Sequence, residues 1–365
     1  NSYLFSKVFI LFSLSAIQTL LFTILGNHIL EIQGMWLTYW LGLFTISCMA
    51  NVIGLNISSA FNSAVTVYIL IPLLIIPQMV LSGLLFSFDK LNEVVSTKGK
   101  VPVVADLMGS RWIYEGLAVR QYKTNNYGAI FYPFDKEEYQ ADFMATYWVK
   151  DLRNRLIQVG NNKDVEDAAT QKKVLRNLKL IKNELTEEVD SSLIADMDLN
   201  VVLRPQNFNT QIKDALIQYL DNLSQKYLDT YNLSVQKKES LIYKYENDFK
   251  YDLTELKNTH HNDALADLVR NLSSKDRIME FKGKLLQIVD PIFHEPKNPK
   301  HVFDYRTHFF APKKHFLGHY FSTYSFNLSV VWFMTVVLYV ALYFEWLKKG
   351  IIKLETISKR FKKKS

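Results

Sequence analysis

The chain has 365 residues and a formal net charge of +7, and its charge is spread very unevenly. Residues 346–365 carry eight Lys or Arg against one Glu, so this short tail accounts for the whole net charge. The basic cluster directly follows an apolar segment, so it reads as a positive-inside signal and argues against nucleic acid as a partner.

Two long stretches lack Asp, Glu, Lys and Arg: 57 residues from Ile32 to Phe88, and 30 residues from His315 to Phe344. Crossing the hydrocarbon core takes about 20 mostly apolar residues. The first stretch is therefore long enough for two helices and a turn, and the second for one. Together with an apolar segment before residue 26, this predicts an all-α membrane protein with four transmembrane helices.

The first three spans are expected within residues 1–88, over 8–25, 35–58 and 64–88. Trp36, Tyr39 and Trp40 stand at one end of the second, where aromatics suit the headgroup level. Its Gly42, Ser47, Ala50 and Gly54 suit close helix packing in lipid. Pro72 and Pro77 lie inside the third span, where they predict a kinked axis. Residues 89–134 read as an external connecting segment, amphipathic and re-entrant. Residues 135–324 read as a mainly α-helical extracytoplasmic insert. The last span is expected over 325–346, followed by a cytoplasmic basic tail at 347–365.

Orientation follows from that tail, since a polybasic flank belongs in the cytoplasm. Counting back through the spans places the insert outside. Lys7 then starts on the cytoplasmic side. Cys48 is the only cysteine, which excludes an intrachain disulfide. An extracytoplasmic domain without cysteine points to a bacterial protein in the cytoplasmic (inner) membrane. The chain opens at Asn1 without a leader pattern, and reads as the C-terminal portion of a longer protein.

The insert keeps regular apolar spacing. Val174, Leu178, Ile181 and Leu185 recur at helical intervals, as do Ile212, Leu216, Tyr219, Leu223 and Tyr227. Leu265, Leu268, Val269 and Leu272 repeat the pattern. Helices are expected near 136–158, 164–190, 209–231, 233–258 and 262–289. Breaks fall at Gly160-Asn161-Asn162, Arg204-Pro205-Gln206 and Asp290-Pro291. The stretch 291–318 reads as extended loop with short strands.

His294, His301, His308 and His315 recur every seven residues. Pro296, Pro299 and Pro312 interrupt them, and no carboxylate or cysteine cluster completes a metal site, so they read as loop histidines. No arrangement for enzymatic chemistry is visible.

The third span ends in Ser82-Gly83-Leu84-Leu85. After a loop come Arg111-Trp112, then Glu115, then Gln121-Tyr122. In this order, followed by an external loop, a last membrane helix and a basic tail, these elements resemble the permease half of type-2 ABC exporters, especially the G (White) subfamily. The resemblance covers roughly residues 1–130 and 310–365. It implies that Leu84 and Leu85 form an apolar plug above a cavity between two permease copies. Ile76 and Met79, one and two turns below, would face that cavity. The plainer alternative is that all four face lipid or serve packing. Arg111 and Glu115, four apart, share a helix face. They either set the register of the re-entrant segment against the last helix or form an interfacial ion pair in a wet rim, contributing at most ~1 kcal/mol.

The resemblance further implies a homodimer of half-transporters and a nucleotide-binding domain using ATP and Mg. The chain itself holds no Walker A lysine motif and no cofactor site, so that domain is expected upstream or in a separate chain. The substrate implied is hydrophobic or amphipathic. The insert is longer than the family's usual loop and lacks its external cysteines. A second reading therefore stands beside the first: a membrane-anchored protein whose helical outer domain binds an envelope partner or transmits a mechanical signal.

Overall fold

The computed structural model describes residues 2–61, 63–85, 88, 98–188, 198–297 and 299–362. It is mainly helical and divides into two compact units. One unit comprises Asn1–Gly128, Leu256–Leu265 and Glu295–Ser365; the other comprises Ala129–Glu255 and Ala266–His294.

In the first unit, helices α1 (Ser2–Ile29) and α2 (Trp36–Ala60) pack along each other. Polar side chains pin this apolar pair. Asn51 Nδ2 donates to Ser15 Oγ at 2.7 Å, and Trp40 Nε1 donates to the Ala16 carbonyl at 3.0 Å. In lipid such bonds matter because no water competes for the groups. Among the described residues three helices are long and apolar enough to cross a membrane: α1, α2 and α12 (Thr323–Tyr343).

The third expected span differs. Helix α3 runs only from Ala64 to Val80, 17 residues, and ends well before Phe88. At about 1.5 Å per residue it is roughly 25 Å long, at the short limit for a spanning helix. Pro72 and Pro77 both lie inside it. The stop is local. Ser82 Oγ accepts from the Leu84 amide at 3.1 Å, and Gly83 takes φ +83°, which a helix does not allow. The residues 86–87 that complete the expected span lie outside the described set.

Helix α4 (Gly109–Thr124) occupies the predicted re-entrant segment. It packs against α2, α3 and α12. Gly109 allows the tightest of these approaches. A Cβ at Gly109 would come within 2.6 Å of Met49 Sδ, and one at Gly116 within 3.4 Å of the Tyr324 backbone. Met49, Trp112, Ile113, Phe326 and Val331 form the buried apolar centre.

The last span begins at Thr323, capped by Ser322 Oγ accepting from the Ser325 amide at 3.2 Å. It ends at Tyr343, and Glu345 at φ +52° breaks the axis. Beyond it, the expected basic tail is a second helix, α13 (Trp346–Lys362). Lys363 and Lys364 lie outside the described residues, as do the side chains of Lys359, Arg360 and Lys362.

The second unit is built on helices α5 (Gly128–Phe143), α6 (Val149–Asn162), α7 (Ala168–Glu188), α8 (Leu199–Val202) and α9 (Thr210–Tyr243). A π turn at Met144–Trp148 joins α5 to α6. Leu152, Leu156 and Val159 of α6, Leu178 and Ile181 of α7, and Leu216 and Leu220 of α9 make one core. Leu178, Ile181 and Leu216 are among the residues whose helical spacing marked them; Leu152, Leu156, Val159 and Leu220 are additions from the structure. Of the helix expected over 164–190, residues 189–190 lie outside the described set.

Two expectations for this part of the chain are corrected. The helices expected at 209–231 and 233–258 are one 34-residue helix, α9, followed by a π turn at Lys244–Asp248. Nothing between Leu228 and Ser240 breaks a helix. Ser234 instead turns inward, fully buried, and donates to the Phe134 carbonyl at 3.0 Å. After α10 (Leu253–His260), the helix expected over 262–289 is only α11 (Asp263–Arg270). Asn271 at φ +53° ends it, and a hairpin follows: β1 (Ile278–Phe281) with β2 (Lys284–Gln287). Lys282 and Gly283 both take positive φ, the signature of a two-residue type I′ turn. Leu317 and Gly318 do the same in the first unit, between β3 (Lys313–Phe316) and β4 (His319–Ser322). The described residues are thus mostly helical, consistent with the all-α membrane protein expected, with two small antiparallel hairpins beside the helices.

Candidate functional site

The most unusual feature of the first unit is a buried cluster of charges on the face of α4. Glu115 is fully buried, Lys314 of β3 is 1% exposed and Arg111 is 2% exposed. Charges this deep are rare unless paired. Here Lys314 Nζ donates to Glu115 Oε1 at 2.7 Å and to Thr307 Oγ1 at 2.7 Å. Asn327 of α12 donates to Glu115 Oε2 at 3.1 Å and to the Trp112 carbonyl at 2.8 Å. Arg111 lies 3.6 Å from Glu115 and 3.4 Å from Asp106, close enough for charge attraction but without hydrogen-bond geometry. Arg306 approaches Asp106 at 3.9 Å and donates to the Val101 carbonyl at 2.8 Å.

The electrostatics follow from this packing. Burial alone would raise the Glu115 carboxyl, but the Lys314 and Arg111 cations outweigh it and hold it below the usual carboxylate range. Burial pulls the Lys314 ammonium below its usual value, opposed by Glu115. Asp106 is pushed up by burial, with Arg111 and Arg306 opposing. Glu115 is thus the anionic hub that joins α4, β3 and α12.

This overturns the wet-rim expectation for Arg111 and Glu115. They share a helix face as their spacing required, but the face points inward. Trp112 is also buried, 1% exposed, and its Nε1 donates to the Asp106 carbonyl at 2.9 Å. Lys314, Asn327, Asp106, Thr307 and Arg306 were not singled out from the sequence. Lys314 lies 199 positions from Glu115, so no local spacing links them. The one available signal was Asn327, a lone amide inside an apolar span.

The candidate gate residues lie elsewhere. Leu84 and Leu85 are exposed on the turn after α3, and Ile76 and Met79 are exposed on α3 itself. Side chains toward lipid, a pathway or a second copy all have this exposure. The turn is fixed to α4: Ser110 Oγ donates to the Gln78 carbonyl at 2.7 Å, and the Ser110 amide donates to Gln78 Oε1 at 3.3 Å. Gly83 is held by its positive φ and by Phe309, whose ring would lie 2.6 Å from an added Cβ. Gly83→Ala is expected to cost about 1–2 kcal/mol from the left-handed backbone alone. Thermal unfolding of the purified protein reads that cost, and an unchanged midpoint would show that the turn is not held this way.

Among the described residues no group of three or more His, Cys, Asp or Glu is placed to hold a metal ion.

Three helices long and apolar enough to cross a membrane, among the described residues, mark the chain as an integral membrane protein. Residues 1–101 match the family model for the ABC-2 type transporter. The match takes in α1, α2, α3 and the leucine turn, and stops before α4. It supports an ABC-2 type transporter permease, with the membrane location and ATPase partner that such a domain implies in general. No curated protein and no solved structure matches the chain.

Proposed function

We propose that this chain is the permease part of an ATP-driven exporter of the G (White) type, moving a hydrophobic or amphipathic substrate as a homodimer of half-transporters. The observation that carries the reading is the leucine turn. It falls inside the segment matched by the ABC-2 family model, and it presents Leu84 and Leu85 outward from a backbone fixed by Ser82, Gly83 and Ser110. A membrane anchor has no need of a helix stopped short in this way. ATP and Mg act in a nucleotide-binding domain upstream or in a separate chain. The membrane is the bacterial cytoplasmic one, with the C-terminus inside and the insert in the periplasm.

In this scheme Leu84 and Leu85 close the path, and Ile76 and Met79 line it below. The charge cluster ties α4 to the last span, and Ser110 ties α4 to Gln78 of α3, so that the three helices move as one body. Arg111 and Glu115 are structural in this role. The second unit has a core of its own and lies outside the matched segment. It is the part suited to an envelope partner, the reading in which the spans serve as an anchor.

The test uses the full-length protein in proteoliposomes, with Leu84→Ala and Leu85→Ala singly and together. Loss of apolar volume at the plug is expected to raise basal ATPase and uncouple it from export. Unchanged export together with unchanged basal ATPase would sink the plug assignment.

A further inference from the structure

At the loop end of the α1–α2 pair the first unit holds a cavity of about 640 Å³. Its walls are the end of α1 with the following loop, the end of α4, and the α10–α11 junction at 258–262. The lining chemistry is unusual. Six residues with carboxamide side chains line it: Asn27, Gln33, Gln121, Asn125, Asn258 and Asn262. His28, Thr259, His260, His261 and Glu31 complete its polar surface, and among the described residues no Lys or Arg lines it.

We propose that this cavity binds a neutral polyhydroxylated group, a sugar or the sugar headgroup of a lipid. A carboxamide carries two N–H donors and an oxygen with two lone pairs. It therefore satisfies a hydroxyl that must both donate and accept, and a ring of carboxamides satisfies neighbouring hydroxyls together. A phosphate or carboxylate ligand is disfavoured, because its charge calls for a guanidinium or ammonium. A purely apolar ligand is disfavoured because it would strand the amides.

The floor is built before any ligand arrives. Gln121 and Asn125 are buried. Tyr39 Oη donates to Gln121 Oε1, Asn125 Nδ2 donates to the Gln121 carbonyl at 2.8 Å, and Asn125 Oδ1 accepts from the Gly128 amide. Across the cavity, the His260 ring is held between the Leu256 carbonyl at 3.2 Å and Asn126 Nδ2 at 3.0 Å. That pairing fits the tautomer with a proton on Nδ1 and an accepting Nε2. Among the described residues Asn27 Nδ2 finds no acceptor. Tyr127 lies edge-on to His261 with ring centroids 5.4 Å apart. The cavity sits where α1 ends and α2 begins, two helices long and apolar enough to cross a membrane, and the ends of such helices meet the headgroup region of a bilayer. A glycolipid headgroup and a free saccharide offer the same hydroxyls, and the experiment separates them.

The site does not depend on the transport reading and stands even if the chain exports nothing. The full-length protein is placed in phosphatidylcholine nanodiscs with monoglucosyl diacylglycerol or phosphatidylglycerol, and retained lipid is counted by native mass spectrometry. Free methyl β-D-glucoside is titrated in parallel. Asn258→Leu and Gln33→Leu remove exposed wall amides that hold no other element in place. Each is expected to weaken sugar binding about tenfold, the loss of one well-placed hydrogen bond. Retention of the glucolipid names the membrane as the source, and saturation by the glucoside alone names a free saccharide. Either outcome supports the site if the variants lose it. A diazirine-tagged glucoside on the unmodified protein gives a second measurement, with labels expected within 27–35 or 256–262. Absence of binding by both sugar probes, preference for phosphatidylglycerol, variants that bind as well as the original, or labels elsewhere would each overturn the proposal.

Discussion

Glu115→Gln is expected to destabilise the protein by about 3–5 kcal/mol, the cost of removing one partner from a buried ion pair. Glu115 is fully buried between Lys314 and Arg111. Without its charge, two cations remain in a dry site with only Asp106 to oppose them. Lys314→Met is expected to cost less, because Glu115 keeps Arg111 at 3.6 Å and the Asn327 amide at 3.1 Å. The double variant should lose less than the sum of the two, since the groups share one network. Thermal unfolding of the full protein in nanodiscs measures all three. Equal losses for the two single variants would show that Glu115 is not the hub.

The same pair sets a pH dependence. The folded carboxyl of Glu115 is held below its unfolded value. Its contribution is therefore fully present above the ordinary carboxylate range and is lost as pH falls through the lowered folded value. Acid should destabilise the original protein more steeply than Glu115→Gln, which has no such proton to bind.

The second large effect is expected at Leu156. This side chain is fully buried in the helical core of the second unit, with Leu152 and Val159 on the same face of α6. Leu156→Ala removes buried methyl groups and leaves a cavity, at a cost of about 2–5 kcal/mol. Hydrogen exchange should show faster amides in α6, α7 and α9, the helices that close on this residue. Leu175, on α7 but exposed, supplies the contrast; Leu175→Ala should leave exchange unchanged. If the two substitutions gave the same exchange pattern, the assignment of the core would be wrong.

What the sequence made legible follows from the range of each signal. The charge-free runs reported the spans because lipid excludes charge along a whole helix, which is a property of the local sequence. The core of the second unit was legible for the same reason, since Val174, Leu178, Ile181 and Leu185 repeat on one face. Three features escaped. The end of α3 at Val80 did, because apolar residues continue past it and only Ser82 and Gly83 mark the stop. The β1–β2 hairpin did, because Lys282-Gly283 lacks the Asn or Asp that usually announces a type I′ turn, whereas short strands were expected within 291–318, where β3 lies. The inward direction of Arg111 and Glu115 did as well, because it depends on Lys314 and Asn327, about 200 positions away. Long-range pairing of charges leaves no periodic trace.

The π turn at Met144–Trp148 has a bearing on how this chain tolerates change. Such a turn takes one more residue than an α-turn, and each residue rotates a helix by about 100°. The inward aim of Leu152, Leu156 and Val159 is thus phased by a single residue placed upstream of them. Adding or removing one residue in that turn would therefore swing this whole face of α6 off the core, and Trp148, itself buried and donating to Glu184 at 2.7 Å, helps to fix the phase.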